Sequence, residues 1–266
     1  GETYSGDREQ LRYYVDPQRM LDGQFDFALR SSIISTVMMR STFAWWENKV
    51  IPTSMKGLED FLRSNATYYG DGTMSTFLGN HDMGRAIHFG EDTPFWFSEW
   101  DTGASNGWSN VPALPSGTSA FERLANAFTV LFSLPGIPLI YYGDEIGMPG
   151  GGDPDNRRMM DFDPSHYTPG QQLLREHMRK LGTIRNAHVS LRRGERVSLS
   201  VTDETIAYQM RHEADSVYVL VNRADVPQRV SGLPEGTYED LLTGRQVTGP
   251  QAELSPRSSM LLIAKP

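Results

Sequence analysis

Apolar positions in the first two thirds of the chain alternate between short blocks and longer stretches with helical spacing. Residues 23–28, Gly-Gln-Phe-Asp-Phe-Ala, form a short strand-like block, and the stretch from about 30 to 45 carries apolar side chains at helical intervals. Leu58, Phe61 and Leu62 predict a helix over 56–68, and a strand over 73–80 follows it. Phe121, Leu124, Ala125, Phe128, Leu131 and Phe132 share one side of a helix over 119–134, which Pro135-Gly136 terminates. The apolar run 137–142 predicts a buried strand broken by Gly143-Asp144-Glu145. Leu173, Leu174, Met178, Leu181 and Ile184 predict a helix over 170–186. Strands alternating with helices in this order predict an α/β fold.

After Arg193 the pattern changes. Residues 197–201, 206–210, 217–221 and 260–263 are strand-like, and turns such as Thr202-Asp203, Glu235-Gly236 and Thr243-Gly244 fall among them. This spacing predicts an all-β module from about 195 to the end. Two domains are therefore expected, 1–194 and 195–266.

Composition narrows the function. A net charge of −8, with only short basic clusters such as Arg192-Arg193, disfavours nucleic acid and acidic membranes, which need clustered Lys and Arg. The chain has no Cys, which excludes disulfides, thiolate catalysis and Cys-based metal sites. No apolar run approaches the ~20 residues that cross a bilayer. Trp45, Trp46, Trp96, Trp100 and Trp108 all fall in the first half, the last three in a long Gly-, Ser- and Asn-rich loop. Loops of that length in compact domains usually carry function.

The strand over 73–80 ends abruptly in chemistry: Phe77-Leu78-Gly79 runs into Asn80-His81-Asp82. In α/β proteins reactive groups collect at the carboxyl ends of parallel strands. The same three residues also fit a polar turn capping the next segment.

Three separated motifs together resemble the α-amylase family of retaining glycoside hydrolases and transglycosylases. Phe77-Leu78-Gly79-Asn80-His81-Asp82 matches the motif that ends the seventh strand of that family's (β/α)8 barrel. Gly136-Ile137-Pro138-Leu139-Ile140-Tyr141-Tyr142-Gly143-Asp144-Glu145-Ile146-Gly147 is similar to its eighth strand and the loop beyond, and Gly152-Asp153-Pro154-Asp155-Asn156-Arg157 to its loop of donor-side sugar ligands. Gly1-Glu2-Thr3 resembles the end of the fifth strand and Phe25-Asp26-Phe27-Ala28-Leu29 the sixth. The resemblance implies a TIM barrel of which this chain supplies about strands 5–8, followed by an all-β sandwich domain. It implies an α-1,4-glucan or maltooligosaccharide as substrate.

It also implies roles. Glu2 matches the general acid/base and Asp82 the carboxylate that holds sugar hydroxyls in the transition state; His81 matches a donor to the same sugar, and Asp153 with Arg157 a pair gripping the sugar on the non-reducing side. Each residue keeps a plainer reading: a helix cap for Asp82, a core histidine for His81, a loop-shaping ion pair for Asp153 and Arg157, a ragged chain end for Glu2. Asn80 is read as fixing the strand end, and Asp144-Glu145 as orienting a loop, since adjacent side chains point apart. Trp96, Trp100 and Trp108 are read either as acceptor-side stacking platforms or as packing.

A full barrel takes roughly 250 residues, and retaining hydrolysis needs two carboxylates ~5 Å apart. The resemblance therefore implies that strands 1–4, with the family's aspartate nucleophile and the arginine two residues before it, lie outside these residues, in cis or as a second fragment. No metal or cofactor is expected in this chain; calcium, common in the family, would sit in the other half. The second reading is a non-catalytic, amylase-like carbohydrate-binding or interaction protein.

Overall fold

A computed structural model describes residues 1–213 and 215–265. Its helices are α1 (Arg8–Tyr13), α2 (Phe27–Ile33), α3 (Met55–Asn65), α4 (Ser119–Phe132), α5 (Pro169–Ala187) and α6 (Ser190–Arg193). Its strands are β1 (Ser41–Ala44), β2 (Lys49–Pro52), β3 (Ser75–Thr76), β4 (Ile137–Pro138), β5 (Glu195–Val201), β6 (Thr205–His212), β7 (Asp215–Asn222), β8 (Gln228–Ser231), β9 (Thr237–Asp240), β10 (Gln246–Thr248), β11 (Gln251–Leu254) and β12 (Ser258–Ala264).

Four extended segments lie side by side in chain order. The Gly1 carbonyl accepts from the Phe25 N–H at 3.1 Å, and Phe25 bridges Ser75 in parallel. The Ser75 N–H donates to Gln24 at 2.8 Å, and β3 pairs β4 in parallel, Ser75 opposite Ile137. Regular pairing is brief, two residues in β3 and β4, so the ladders are much shorter than the apolar runs 73–80 and 137–142 predict.

Two further expectations fail locally. The block 23–28 does not stay extended, because the Asp26 carboxylate accepts from the Leu29 N–H at 3.0 Å and caps α2 from Phe27 onward. The helix expected to reach 45 stops after a π-turn over Ile34–Met38, where Arg40 turns left-handed at φ 61. Thr42, Phe43 and their neighbours then pair with β2 in a hairpin, the extended state that β-branched and aromatic residues favour. Helix α1 has no counterpart in the predicted elements.

Beyond Gly194 a six-stranded antiparallel sheet has the order β10-β9-β12-β7-β6-β5. Side chains alternate faces along β6 and β7 with the strand period of two. Ile206, Tyr208, Met210, Val217, Val219 and Val221 join one core with Ile33, Val37, Leu124, Phe128 and Leu131 of the helical part. Ala207, Tyr218 and Leu220 face the other way, against Val230, Ala252 and Leu254 of the two-stranded sheet β8–β11. The expected sandwich is thus six strands against two, with its larger sheet also serving as the floor of the helices.

Charge reinforces that junction. Arg123 of α4, 1% exposed, meets Asp225 at 2.9 Å, and Arg40 and Arg257 reach the same carboxylate at 2.6 and 3.0 Å. Burial pushes the Asp225 carboxyl up, but these three guanidiniums outweigh it and hold its pKa well below the usual carboxylate range.

Candidate active site

The segment leaving β3 is positioned from behind. Arg30 of α2 is fully buried and donates from Nε to the Leu78 carbonyl at 2.9 Å and from Nη1 to the Glu99 carbonyl at 2.7 Å. Burial lowers its pKa to about 10, so it stays charged at neutral pH. Leu78 and Gly79 are thereby fixed, and the next three residues project from the strand mouth.

Asn80 is buried and links Glu2 to the backbone of Asp82. Its Nδ2 donates to Glu2 Oε1 at 3.2 Å, and its Oδ1 accepts from the Asp82 N–H at 3.1 Å. His81 and Asp82 are half exposed, with His81 Nε2 at 3.3 Å from Asp82 Oδ1. Arg157 reaches the same place from the loop after β4, donating from Nη2 to the His81 carbonyl at 3.3 Å and from Nε to Asp153 Oδ1 at 3.1 Å. Glu2, His81, Asp82, Asp153 and Arg157 therefore form one hydrogen-bonded set on one face, joined through Asn80 and the His81 backbone. Tyr4 borders it, edge-on to Phe27 at 5.0 Å and to Trp100 at 6.0 Å. Partial burial raises the Tyr4 hydroxyl pKa; Arg30 opposes this, while Asp101 and Asp82 add to it.

A second tier locks the loops. Asn156, fully buried, donates from Nδ2 to the carbonyls of His81 at 2.7 Å and Met83 at 2.9 Å. Arg85 and Asp144 form a buried pair at 3.1 Å, and the guanidinium lies 4.2 and 4.7 Å from the rings of Tyr141 and Tyr142. Burial pushes the Asp144 carboxyl up to about 6 against the pull of Arg85. His88 accepts at Nε2 from the Gly150 N–H at 3.1 Å and meets Glu91 through Nδ1 at 2.6 Å, a pattern that assigns the ring proton to Nδ1. Arg85, Asn156 and Tyr4 are not among the residues the sequence singles out, although Asn156 lies inside the Asp153–Arg157 loop.

The three tryptophans of the long loop part company. Trp96 is fully buried and donates to the Arg85 carbonyl at 3.3 Å, Trp100 packs on Tyr4, and Trp108 is 86% exposed. Among the described residues, no group of three or more His, Asp or Glu side chains is placed to hold a metal ion.

A scan against protein-family models gives no match. Individual relatives do match. The chain is 27% identical over 248 residues to a β/α-amylase of Paenibacillus polymyxa, covering 93% of this chain and 17% of that protein. It is 29% identical over 198 residues to a cyclomaltodextrin glucanotransferase of Niallia circulans, covering 72% of this chain and 23% of that protein. Among solved structures, the α-amylase of Geobacillus thermoleovorans complexed with acarbose superposes with a TM-score of 0.72 at 26% identity, over 98% of this chain and 52% of its own. Its homologues are members of the α-amylase family. The fold extends to more distant α-amylase-like chains: AmyP in complex with maltose superposes with a TM-score of 0.79 at 21% identity, over 98% of this chain and 54% of its own. The chain spans about a fifth of the curated relatives and about half of each solved structure, and it matches a C-terminal portion of these α-amylase-family proteins.

Proposed function

We propose that these residues are the acid/base-bearing part of a retaining glycoside hydrolase or transglycosylase acting on α-1,4-linked glucans. One observation carries the reading: a single buried amide, Asn80, donates to the Glu2 carboxylate and accepts from the Asp82 N–H, holding the two residues next to each other at the strand mouths. Glu2 protonates the leaving glycosidic oxygen, then takes a proton from the incoming water or sugar hydroxyl. Asp82 and His81 hold hydroxyls of the reacting sugar through contacts that tighten as the ring flattens toward the oxocarbenium ion. Arg157, oriented by Asp153, grips the neighbouring sugar on the non-reducing side with its planar fork of donors.

The remaining carboxylate, the nucleophile, comes from barrel strands outside these residues. Two features support this. The parallel set of four segments is open at both edges, with Ile137 of β4 60% exposed, although parallel sheets are ordinarily covered and a barrel has no edges. The relatives are proteins of which this chain spans a part. The four segments correspond to strands 5–8, the barrel part ends at residue 194, and residues 195–266 are the appended β domain. This chain holds no metal or cofactor in the reading, and calcium of the family kind belongs to the other half.

The test is turnover of maltooligosaccharides with product analysis, using the longest natural form of the polypeptide. The 266-residue chain alone should be inactive, and activity should return with the other half in cis or in trans. There, Glu2→Gln should lower kcat by about 10²–10⁴-fold on unactivated glucans. Asp82→Asn should lower kcat far more than it raises KM. Ordinary rates from the 266-residue chain by itself, or full activity in Glu2→Gln, would overturn the assignment.

A further inference from the structure

Trp108 stands on a loop whose backbone is pinned to its neighbour. Residues 101–112 are stapled to the loop 150–158 at two points. The Gly152 N–H donates to the Gly103 carbonyl at 2.7 Å, and Arg158 Nη2 donates to the Pro112 carbonyl at 2.9 Å. Between the staples the backbones touch. A β-carbon at Gly107 would meet the Asp153 carbonyl at 2.6 Å, and one at Gly152 would meet the Ala104 nitrogen at 2.6 Å. The residue after Gly107 is Trp108, itself 86% exposed, so its backbone is held close to that of Asp153.

An indole held out in water on a pinned backbone buries little of its apolar face, which leaves a flat surface that a ligand can cover. Its surroundings choose the ligand. Ser105, Asn106, Ser109 and Asn110 flank it in the sequence, and no charged residue occurs from 102 to 112. That segment suits a neutral, hydroxyl-rich ligand, and the arginines of the neighbouring loop are already paired, Arg157 with Asp153 and Arg158 with Asp155.

We propose that Trp108 is the stacking platform of an additional sugar position, next to the Asp153–Arg157 pair, that sets a preference for longer maltooligosaccharides. This rests on the reading of the cleft given above. One apolar face of a pyranose lies on the indole, and the chain continues from there past Asp153 toward His81. The acceptor-side position that the sequence suggests for this tryptophan gives way to the side on which Asp153 lies.

Binding separates this inference from the one beneath it. Maltotriose and maltoheptaose are titrated calorimetrically into the complete polypeptide carrying Glu2→Gln, with and without Trp108→Ala. Trp108→Ala should weaken maltoheptaose about tenfold and maltotriose less than twofold, Trp108→Tyr should stay within about threefold of Trp, and thermal midpoints should be unchanged. Equal losses for both sugars, or none, overturn the platform. If the complete polypeptide with Glu2 intact turns over no glucan while the chain-length-selective loss appears, the catalytic reading falls and Trp108 stands. If Glu2-dependent turnover is present and Trp108→Ala is indifferent to chain length, the reverse holds. If neither sugar binds, both fall.

Discussion

Two Gly→Ala substitutions in this chain should have opposite signs, and the structure says why. Gly79 lies between the Arg30-anchored Leu78 and the bridging Asn80, and its backbone is outside the left-handed region. It is glycine because of a neighbour. An added β-carbon would sit 2.5 Å from Asp144 Oδ2, 0.5 Å inside the 3.0 Å that β-carbons essentially never cross. The carboxylate cannot retreat, being 3% exposed and held at 3.1 Å by Arg85, itself 1% exposed. The strand mouth must move instead. Overpacking of this kind costs about 1–3 kcal/mol. A displacement approaching 1 Å at Asn80 would misplace Glu2 and Asp82 and cost about 10²-fold in kcat/KM. Gly182, inside α5, has nothing within 4 Å of an added β-carbon. Gly182→Ala should therefore stabilise by about 0.5–1 kcal/mol, since glycine in a helix interior has the larger entropy to lose. Urea titrations of the two variants beside the parent read the signs directly, and kcat/KM of the complete enzyme reads the displacement. If Gly79→Ala matches the parent in both, or if the two variants shift stability in the same direction, the contact with Asp144 does not govern this position.

Asn80→Ala removes one hydrogen bond to Glu2 and one from the Asp82 N–H, so stability should fall by about 1–2 kcal/mol and kcat by more than tenfold with KM changing less, read from urea midpoints and steady-state kinetics. Asp225→Asn should destabilise by about 1–2 kcal/mol after allowance for solvent screening, since the carboxylate is 41% exposed. Because the folded pKa of Asp225 lies far below its unfolded value, the parent's advantage is fully present above about pH 5, begins to shrink near pH 4 and is lost only as pH falls through the folded pKa. Thermal melts of both proteins from pH 7 to pH 3 should show the gap narrowing toward the acid end without closing; a gap that is the same at pH 3 as at pH 7 would show that the arginine cluster contributes no charge-dependent stability.

How much could be read in the sequence depended on how far apart the partners lie. His81 and Asp82 are adjacent, and Asp153 and Arg157 are four apart, so each fits within a motif. The bond that unites the cleft, Asn80 to Glu2, spans 78 residues, and the Arg85–Asp144 pair beneath it spans 59. No local pattern encodes either, which is why Asn80 reads as a strand-end residue and Arg85 goes unremarked. In the fold, long amphipathic helices such as α4 and α5 were legible because many apolar positions agree on one face. The 30–45 stretch misled because Ile33, Ile34, Val37 and Met38 set a helical rhythm that Phe43, Ala44 and Trp45 happen to continue. The break is a left-handed Arg40, a conformation that arginine side chains do not advertise.

The brevity of the parallel ladders has a compensation that ties the fold to the site. Every strand carbonyl that leaves a ladder inside a core needs another donor. Buried arginines supply it here. Arg30 serves the carbonyls of Leu78 and Glu99, and Arg85 that of Tyr142 at 2.5 Å. Arg185 donates to Phe132, Leu134, Leu191 and Gly136 between 2.6 and 2.8 Å, closing the turn from α4 into β4. A guanidinium can do this because its five donors are held in a plane and its charge survives burial, whereas a lysine ammonium has three donors and loses its proton more readily. The mouths of the third and fourth segments are therefore shaped by side chains reaching in from α2 and the 81–90 segment more than by strand pairing, while α5 holds the turn that enters β4. That arrangement leaves residues 79–82 free of ladder geometry, so Asn80, His81 and Asp82 can turn three successive side chains to tasks that a regular strand, with its alternating faces, would keep apart.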